Sequence, residues 1–267
     1  MDSDSVNLGS NPSRSAKLHG LPSWQMISLR ESHDRREVMR SQFANLGYEN
    51  YKFYLTNRWE NINANVDIKW HYHEARKHHG SIISHLELMR QWYLTTDEPY
   101  AIFSDDDMDL STCEYWNFNF EDFVKNLPDN WQFVQLIRVL LHQDNLDRWA
   151  ELQMEYGRFW GVCALMSREY VRRVLNAHVT GPFQYDLRLI RTDEWDNNGD
   201  SISFIENVLY LEKAKPLNFP LFAELPNVST ITPELDRSRK RIVMDRYREL
   251  WKTQGPNLNI EQALLPR

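Results

Sequence analysis

The strongest constraint on this chain is an alternation of strand-length apolar runs with stretches of helical periodicity. Trp24-Gln25-Met26-Ile27-Ser28-Leu29 alternates like a short strand. Asp34 then opens a helical pattern carrying Val38, Met39, Phe43 and Leu46, which stops at Gly47. Tyr51 to Leu55 alternates again, with Tyr51, Phe53 and Leu55 on one face. From Ser81 to Tyr93, Ile82, Ile83, Leu86, Met89 and Tyr93 recur at three- and four-residue steps, the stripe of a helix buried on one side. Tyr100-Ala101-Ile102-Phe103 is a short apolar strand, Trp131 to Leu141 and Val162 to Met166 read as further strands, and Ser167 to Leu175 as the helix after them. Such alternation predicts an α/β fold with a mainly parallel sheet, whose ligands gather at the carboxyl ends of the strands.

A chain of 267 residues can bury a sizeable core, and 42% hydrophobic residues with 13% aromatics are too many for a disordered chain. We divide it into a flexible tail over 1–19, rich in Ser and Asn, one domain over 20–230, and a C-terminal segment over 231–267. The formal charge of -7 opposes general nucleic-acid binding. Two cysteines, Cys113 and Cys163, build neither a disulfide framework nor a CxxC site, so a reducing compartment fits. With no signal-like opening and no run of about 18 apolar residues, the expectation is a cytoplasmic protein. Past Pro233, Arg237, Arg239, Lys240, Arg241, Arg246 and Arg248 interleave with Ile242, Val243, Tyr247, Leu250 and Trp251. This is a basic amphipathic helix that either packs on the domain or meets an acidic acceptor or the periphery of a membrane.

The chemistry concentrates where the Tyr100–Phe103 run ends. Asp105, Asp106, Asp107 and Asp109 crowd negative charge at a strand terminus, and such crowding needs an opposing charge. Carboxylate oxygens suit Mg²⁺ or Mn²⁺, which keep coordination positions for substrate phosphates. The bland alternative is a solvated acidic loop or helix cap. Neither GxxxxGK[ST] nor GxGxxG occurs among only nine glycines, so a nucleotide would depend on metal and side chains.

Five segments follow one another along the chain: Met26-Ile27-Ser28-Leu29 with His33-Asp34-Arg35-Arg36; Ser84-His85-Leu86-Glu87-Leu88; Tyr100 to Leu110; Trp160-Gly161 with Leu165-Met166-Ser167-Arg168; and Glu206-Asn207-Val208-Leu209-Tyr210 with Pro220-Leu221-Phe222. In this order they resemble glycosyltransferase family 25, the lipopolysaccharide-core and procollagen galactosyltransferase group. Asp105 stands where the family usually has Glu, and Glu206 where it has Asp. The resemblance implies a GT-A fold, a nucleotide-binding α/β sheet with an acceptor-binding half, and inversion at the sugar carbon. It implies Asp107 as metal ligand, Asp105 as a ligand of metal or donor ribose, and Asp106 as a supporting or sugar contact. Leu29, Arg30, Arg36, Ser84 and His85 are expected on the nucleotide-sugar side, Trp160 and Gly161 on the acceptor side, and Glu206 as general base, with Asp186 and Asp200 competing for that role. Asp107, ending a strand, is expected to be partly exposed.

Other candidates carry less. His71, His73, His78 and His79 include HExxxH, one residue too long for the zinc-binding HExxH. Ser84 can equally cap a helix, and His85 can bond a carbonyl. Arg138 and His142, near a strand end, are further acceptor-side candidates. The reading that follows is a metal-dependent inverting glycosyltransferase, using Mn²⁺ or Mg²⁺, that moves a hexose from a UDP-linked nucleotide-sugar donor to a glycan or glycolipid acceptor. The alternative is a catalytically inactive carbohydrate-binding protein of the same fold.

Overall fold

The structure, a computed structural model, describes residues 14–57, 65–66, 75–138, 151–156, 162–182, 184–186, 209, 216–225 and 237–267. In chain order its elements are α1 (Arg14–Lys17), β1 (Trp24–Leu29), α2 (His33–Leu46), β2 (Tyr51–Thr56), β3 (Asn65–Val66), α3 (Ala75–Thr95), β4 (Tyr100–Ser104) and β5 (Met108–Asp109). A short 3-10 turn over Ser111–Tyr115 leads to α4 (Phe120–Lys125), β6 (Phe133–Gln135), β7 (Glu155–Tyr156), β8 (Cys163–Ser167), α5 (Arg168–His178), β9 (Val179–Gly181) and β10 (Gln184–Tyr185). β11 (Leu217–Asn218), β12 (Ala223–Glu224), α6 (Arg237–Gln254) and α7 (Ile260–Ala263) complete the set.

The fold is α/β, built on a mixed seven-stranded sheet in the order β2-β1-β4-β8-β6-β11-β7. β1 pairs in parallel with β2 on one side and β4 on the other. β8 runs antiparallel to both β4 and β6, and β7 antiparallel to β11. The mainly parallel sheet expected from the alternation is therefore interrupted near its centre. A strand covered on both faces reads as the same apolar run in either direction, so Cys163-Ala164-Leu165-Met166 could not announce its reversal. Of the run from Trp131 to Leu141, the described part ends at Arg138 and forms a strand over Phe133–Gln135.

Side chains of period two divide between two cores. Trp24 and Met26 of β1, Ile102 of β4 and Leu165 of β8 face one core with Met39, Phe43 and Leu46 of α2. Ile27, Ala101, Phe103, Ala164 and Met166 face the other, covered by Ile82, Ile83, Leu86 and Met89 of α3 and by Val171 and Val174 of α5. α2 stops at Gly47, whose φ of 66° is left-handed, while the Tyr48 N–H closes on the Phe43 carbonyl at 3.0 Å. A residue with a Cβ would be strained there, which explains the helix end seen in the sequence.

The C-terminal helix is part of the first core. Met244, Tyr247, Leu250 and Trp251 of α6 are buried in it, and the Trp251 indole donates to the Pro220 carbonyl at 2.8 Å. Among the described residues no helix is long and apolar enough to cross a membrane. Trp251 is fully buried, so Trp251→Ala is expected to lower the unfolding free energy by about 3–5 kcal/mol in urea denaturation. A loss under about 1 kcal/mol would mean that α6 is a detachable appendage.

Candidate functional site

β1 and β4 lie side by side and point the same way, with Met26 paired to Ser104, so their carboxyl ends open at the same edge of the sheet. From there the chain leaves β1 through α2 toward β2, and leaves β4 toward β6 on the other side. Divergent exits of this kind create a crevice above the strand ends, the usual ligand position in open α/β sheets. Asp105, Asp106 and Asp107 follow β4 directly into that crevice.

Each carboxylate meets a different environment. Asp105 is the most open of the three, with a third of its side chain exposed. Its backbone N–H extends the ladder to the Val162 carbonyl at 3.2 Å, and its Oδ1 lies 3.2 Å from Nε2 of the fully buried His85 on α3. Asp106 turns toward the opposite face of the sheet, where the Ser28 hydroxyl donates to it at 2.5 Å and Arg35 approaches at 2.5 Å. Asp107 lies 3.0 Å from the same Arg35 nitrogen. Expected to be partly exposed, Asp107 is instead buried, because the chain turns inward into β5 rather than out to solvent.

The turn is held from several directions. Gln42 of α2 accepts from the Leu110 N–H at 2.8 Å and donates to the Met108 carbonyl at 2.9 Å, standing in for a neighbouring strand. β12 pairs antiparallel with β5, and Leu225 N–H donates to the Asp107 carbonyl at 2.6 Å. Asp109 points away from the other carboxylates to Arg248 of α6 at 2.7 Å. The four-aspartate run thus separates into three residues at the crevice and one structural tether. Pro220-Leu221-Phe222 lies in the link between β11 and β12 and delivers β12 to this position.

The electrostatics follow from burial. Burial pushes the Asp106 carboxyl up to about 6, against the pull of Arg35 and Ser28, and the charges of Asp107 and Asp105 add to the rise. For Arg35, burial opposes the charge, but the fields of Asp107, Asp106, Asp105 and Glu224 outweigh it and raise its pKa. Burial also holds the Cys113 and Cys163 thiols well above their ordinary range, so neither is a thiolate ligand.

Of the residues expected on the donor side, Leu29 is half-buried and Arg30 exposed at the exit of β1. Arg36 is turned inward, donating to the Ser28 hydroxyl at 2.8 Å, to the Leu29 carbonyl, and to the Arg30 carbonyl at 2.9 Å, so it shapes the β1–α2 turn. Ser84 does not cap a helix. It sits inside α3, bonding back to the Gly80 carbonyl at 2.6 Å and to the Thr56 hydroxyl at 2.7 Å. Arg138 is buried against Asn218 and the Gln153 carbonyl. Asp186 follows β10, its N–H on the His178 carbonyl at 2.8 Å.

Glu206, Trp160, Gly161, Asp200, His142, His71 and His73 lie outside the described residues, as do the side chains of His78 and His79. Ser28 and Arg35 were not singled out from the sequence. A polar residue at the core-facing phase of β1, two positions after Met26, was the available signal for Ser28.

Among the described residues no three His, Cys, Asp or Glu side chains gather tightly enough to enclose a metal by themselves. The donor set still fits Mg²⁺ or Mn²⁺, which one or two carboxylates can hold together with substrate phosphates. Among the described residues, Asp106 and Asp107 are met by the Arg35 guanidinium, while Asp105 keeps a third of its side chain exposed beside His85. Compared with known proteins, the chain matches no family model and no curated protein.

Asp106 supplies a pH test. Its folded-state pKa near 6 lies above the ordinary 3.8, so folding favours the protonated form. Ionisation therefore costs stability as pH rises from about 4 to 6, and the full penalty persists above that window. Asn keeps the shape and an acceptor for Ser28. Asp106→Asn is expected to be more stable than the parent by about 1–3 kcal/mol at pH 8 in EDTA, and no more stable at pH 4. Equal stability at pH 8 in chemical denaturation would show that Arg35 and Ser28 fully offset the buried charge.

Proposed function

We propose that the chain is a metal-dependent inverting glycosyltransferase with a GT-A-like fold, moving a hexose such as galactose from a UDP-linked sugar to a hydroxyl of a glycan or glycolipid acceptor. The observation that carries this reading is the rigidly held Asp105-Asp106-Asp107 turn in the crevice between the carboxyl ends of β1 and β4. The family-25-like order of segments along the sequence supports the same assignment. Asp107 and Asp105 would hold Mn²⁺ or Mg²⁺, which when bound offsets charge developing on the leaving diphosphate.

The chain's own residues do the rest. His85 orients the Asp105 carboxylate, and Ser28 fixes that of Asp106. Leu29 and Arg30, at the exit of β1, lie where a nucleoside would enter, and the N-terminus of α2 directs its dipole toward arriving phosphates. Glu206 takes the proton of the acceptor hydroxyl, and Trp160, beside Gly161 on the acceptor side, gives the sugar ring a stacking platform. One observation favours the inactive carbohydrate-binding alternative: Arg35 already occupies two of the carboxylates.

UDP or a UDP-sugar at saturation is expected to raise the thermal midpoint by several degrees with Mn²⁺ present and by little in EDTA. Equal shifts in both conditions would remove the metal from the account. Asp107→Ala should fold, since Asp106 still answers Arg35, and lose metal-dependent transfer; full activity in the folded variant would refute the assignment. Glu206→Gln keeps the size of the side chain but cannot accept the proton, so transfer should fall about 10²–10⁴-fold with donor affinity unchanged. If Asp186→Asn or Asp200→Asn loses transfer while Glu206→Gln retains it, the base lies elsewhere.

A further inference from the structure

Arg35 and Arg36 are adjacent in α2 but make different commitments. Arg36 is buried against a hydroxyl and two backbone carbonyls, partners that cannot leave. Arg35 is held only through charge: one terminal nitrogen stands 2.5 Å from Asp106 and 3.0 Å from Asp107, and its Nε is buried with no hydrogen-bond partner among the described residues. A buried salt bridge built for stability would satisfy those donors, because an unmade bond on a desolvated guanidinium is costly. The side chain also keeps 17% of its surface exposed, which leaves it a path outward.

We propose that Arg35 is a resident counter-ion of the acidic turn, one that a divalent cation must displace. The inference rests on the reading of this turn as a metal site and deepens it. Arg35 and a divalent ion held by Asp105 and Asp107 would meet at the shared Asp107, where the two positive charges repel at contact distance. While the crevice is empty, Arg35 limits the repulsion among Asp105, Asp106 and Asp107 and keeps the turn in place. When the cation arrives, Arg35 withdraws from Asp107, and its planar fork is left beside the position of an incoming diphosphate, which it can grip bidentately. Metal affinity in the absence of nucleotide is therefore weaker than the carboxylates alone would give.

The test is calorimetric titration of Mn²⁺ into the nucleotide-free full chain, comparing the parent with Arg35→Gln and with Arg248→Gln. The last removes the same charge from Asp109 while leaving Asp106 and Asp107 untouched. Arg35→Gln is expected to tighten Mn²⁺ binding about tenfold or more, and Arg248→Gln to change it less than about threefold. Binding by the parent with no gain in Arg35→Gln overturns the counter-ion role and leaves the metal site standing. Equal tightening in both variants also overturns it, by showing a general charge effect. Absence of binding in all three removes the metal site and this inference together. Should Arg35→Gln fail to fold, modification of Arg35 by phenylglyoxal in the parent, followed by mass spectrometry, decides the matter. The rate is expected to rise when Mn²⁺ binds, and an unchanged rate with Mn²⁺ bound contradicts displacement.

Discussion

Like charges confined at the end of β4 are the constraint around which the rest of this structure is arranged. Three carboxylates in consecutive positions repel one another, and two of them are buried where water cannot screen them. Such a turn persists only if its surroundings over-determine it. Ser28 from β1, Arg35 and Gln42 from α2, His85 from α3, β12 and, through Asp109, Arg248 from α6 all converge on it. The C-terminal helix thereby acquires a second role beyond closing the first core. It also holds Asp109, at the far end of the acidic segment, through Arg248.

Rigidity of this kind is what a binding site for a charged ligand requires. Carboxylates held in place before the ligand arrives do not reorganise at its expense, even where Arg35 must move, and an interior of low dielectric makes each charge count for more. Burial is the main cause of the raised pKa of Asp106, and Arg35 and Ser28 offset it only in part.

Much of the scaffold was legible in the sequence because it is dictated locally. The period-two pattern of Trp24 to Leu29 and the stop at Gly47 correspond to a strand and a left-handed helix end at those positions. The position of the acidic run after β4 was also legible, since an abrupt change from apolar to charged residues marks a strand terminus. What could not be read depends on contacts distant in sequence. The reversal of β8 leaves no local trace, and the burial of Asp107 depends on β12, more than a hundred residues later. The division of labour between Arg35 and Arg36 is likewise invisible in the string Asp34-Arg35-Arg36. It is set by which of the two faces the carboxylates and which faces the β1 exit.

The central claim is that the Asp105–Asp107 turn holds a nucleotide sugar through a divalent cation. Crystals of the chain grown with UDP and Mn²⁺, measured at the manganese absorption edge, test it most directly. The account predicts an anomalous peak about 2.0–2.3 Å from an Asp107 carboxylate oxygen and from diphosphate oxygens of UDP. Nucleotide bound with the manganese elsewhere, or manganese at the turn with no phosphate in its coordination sphere, would contradict it.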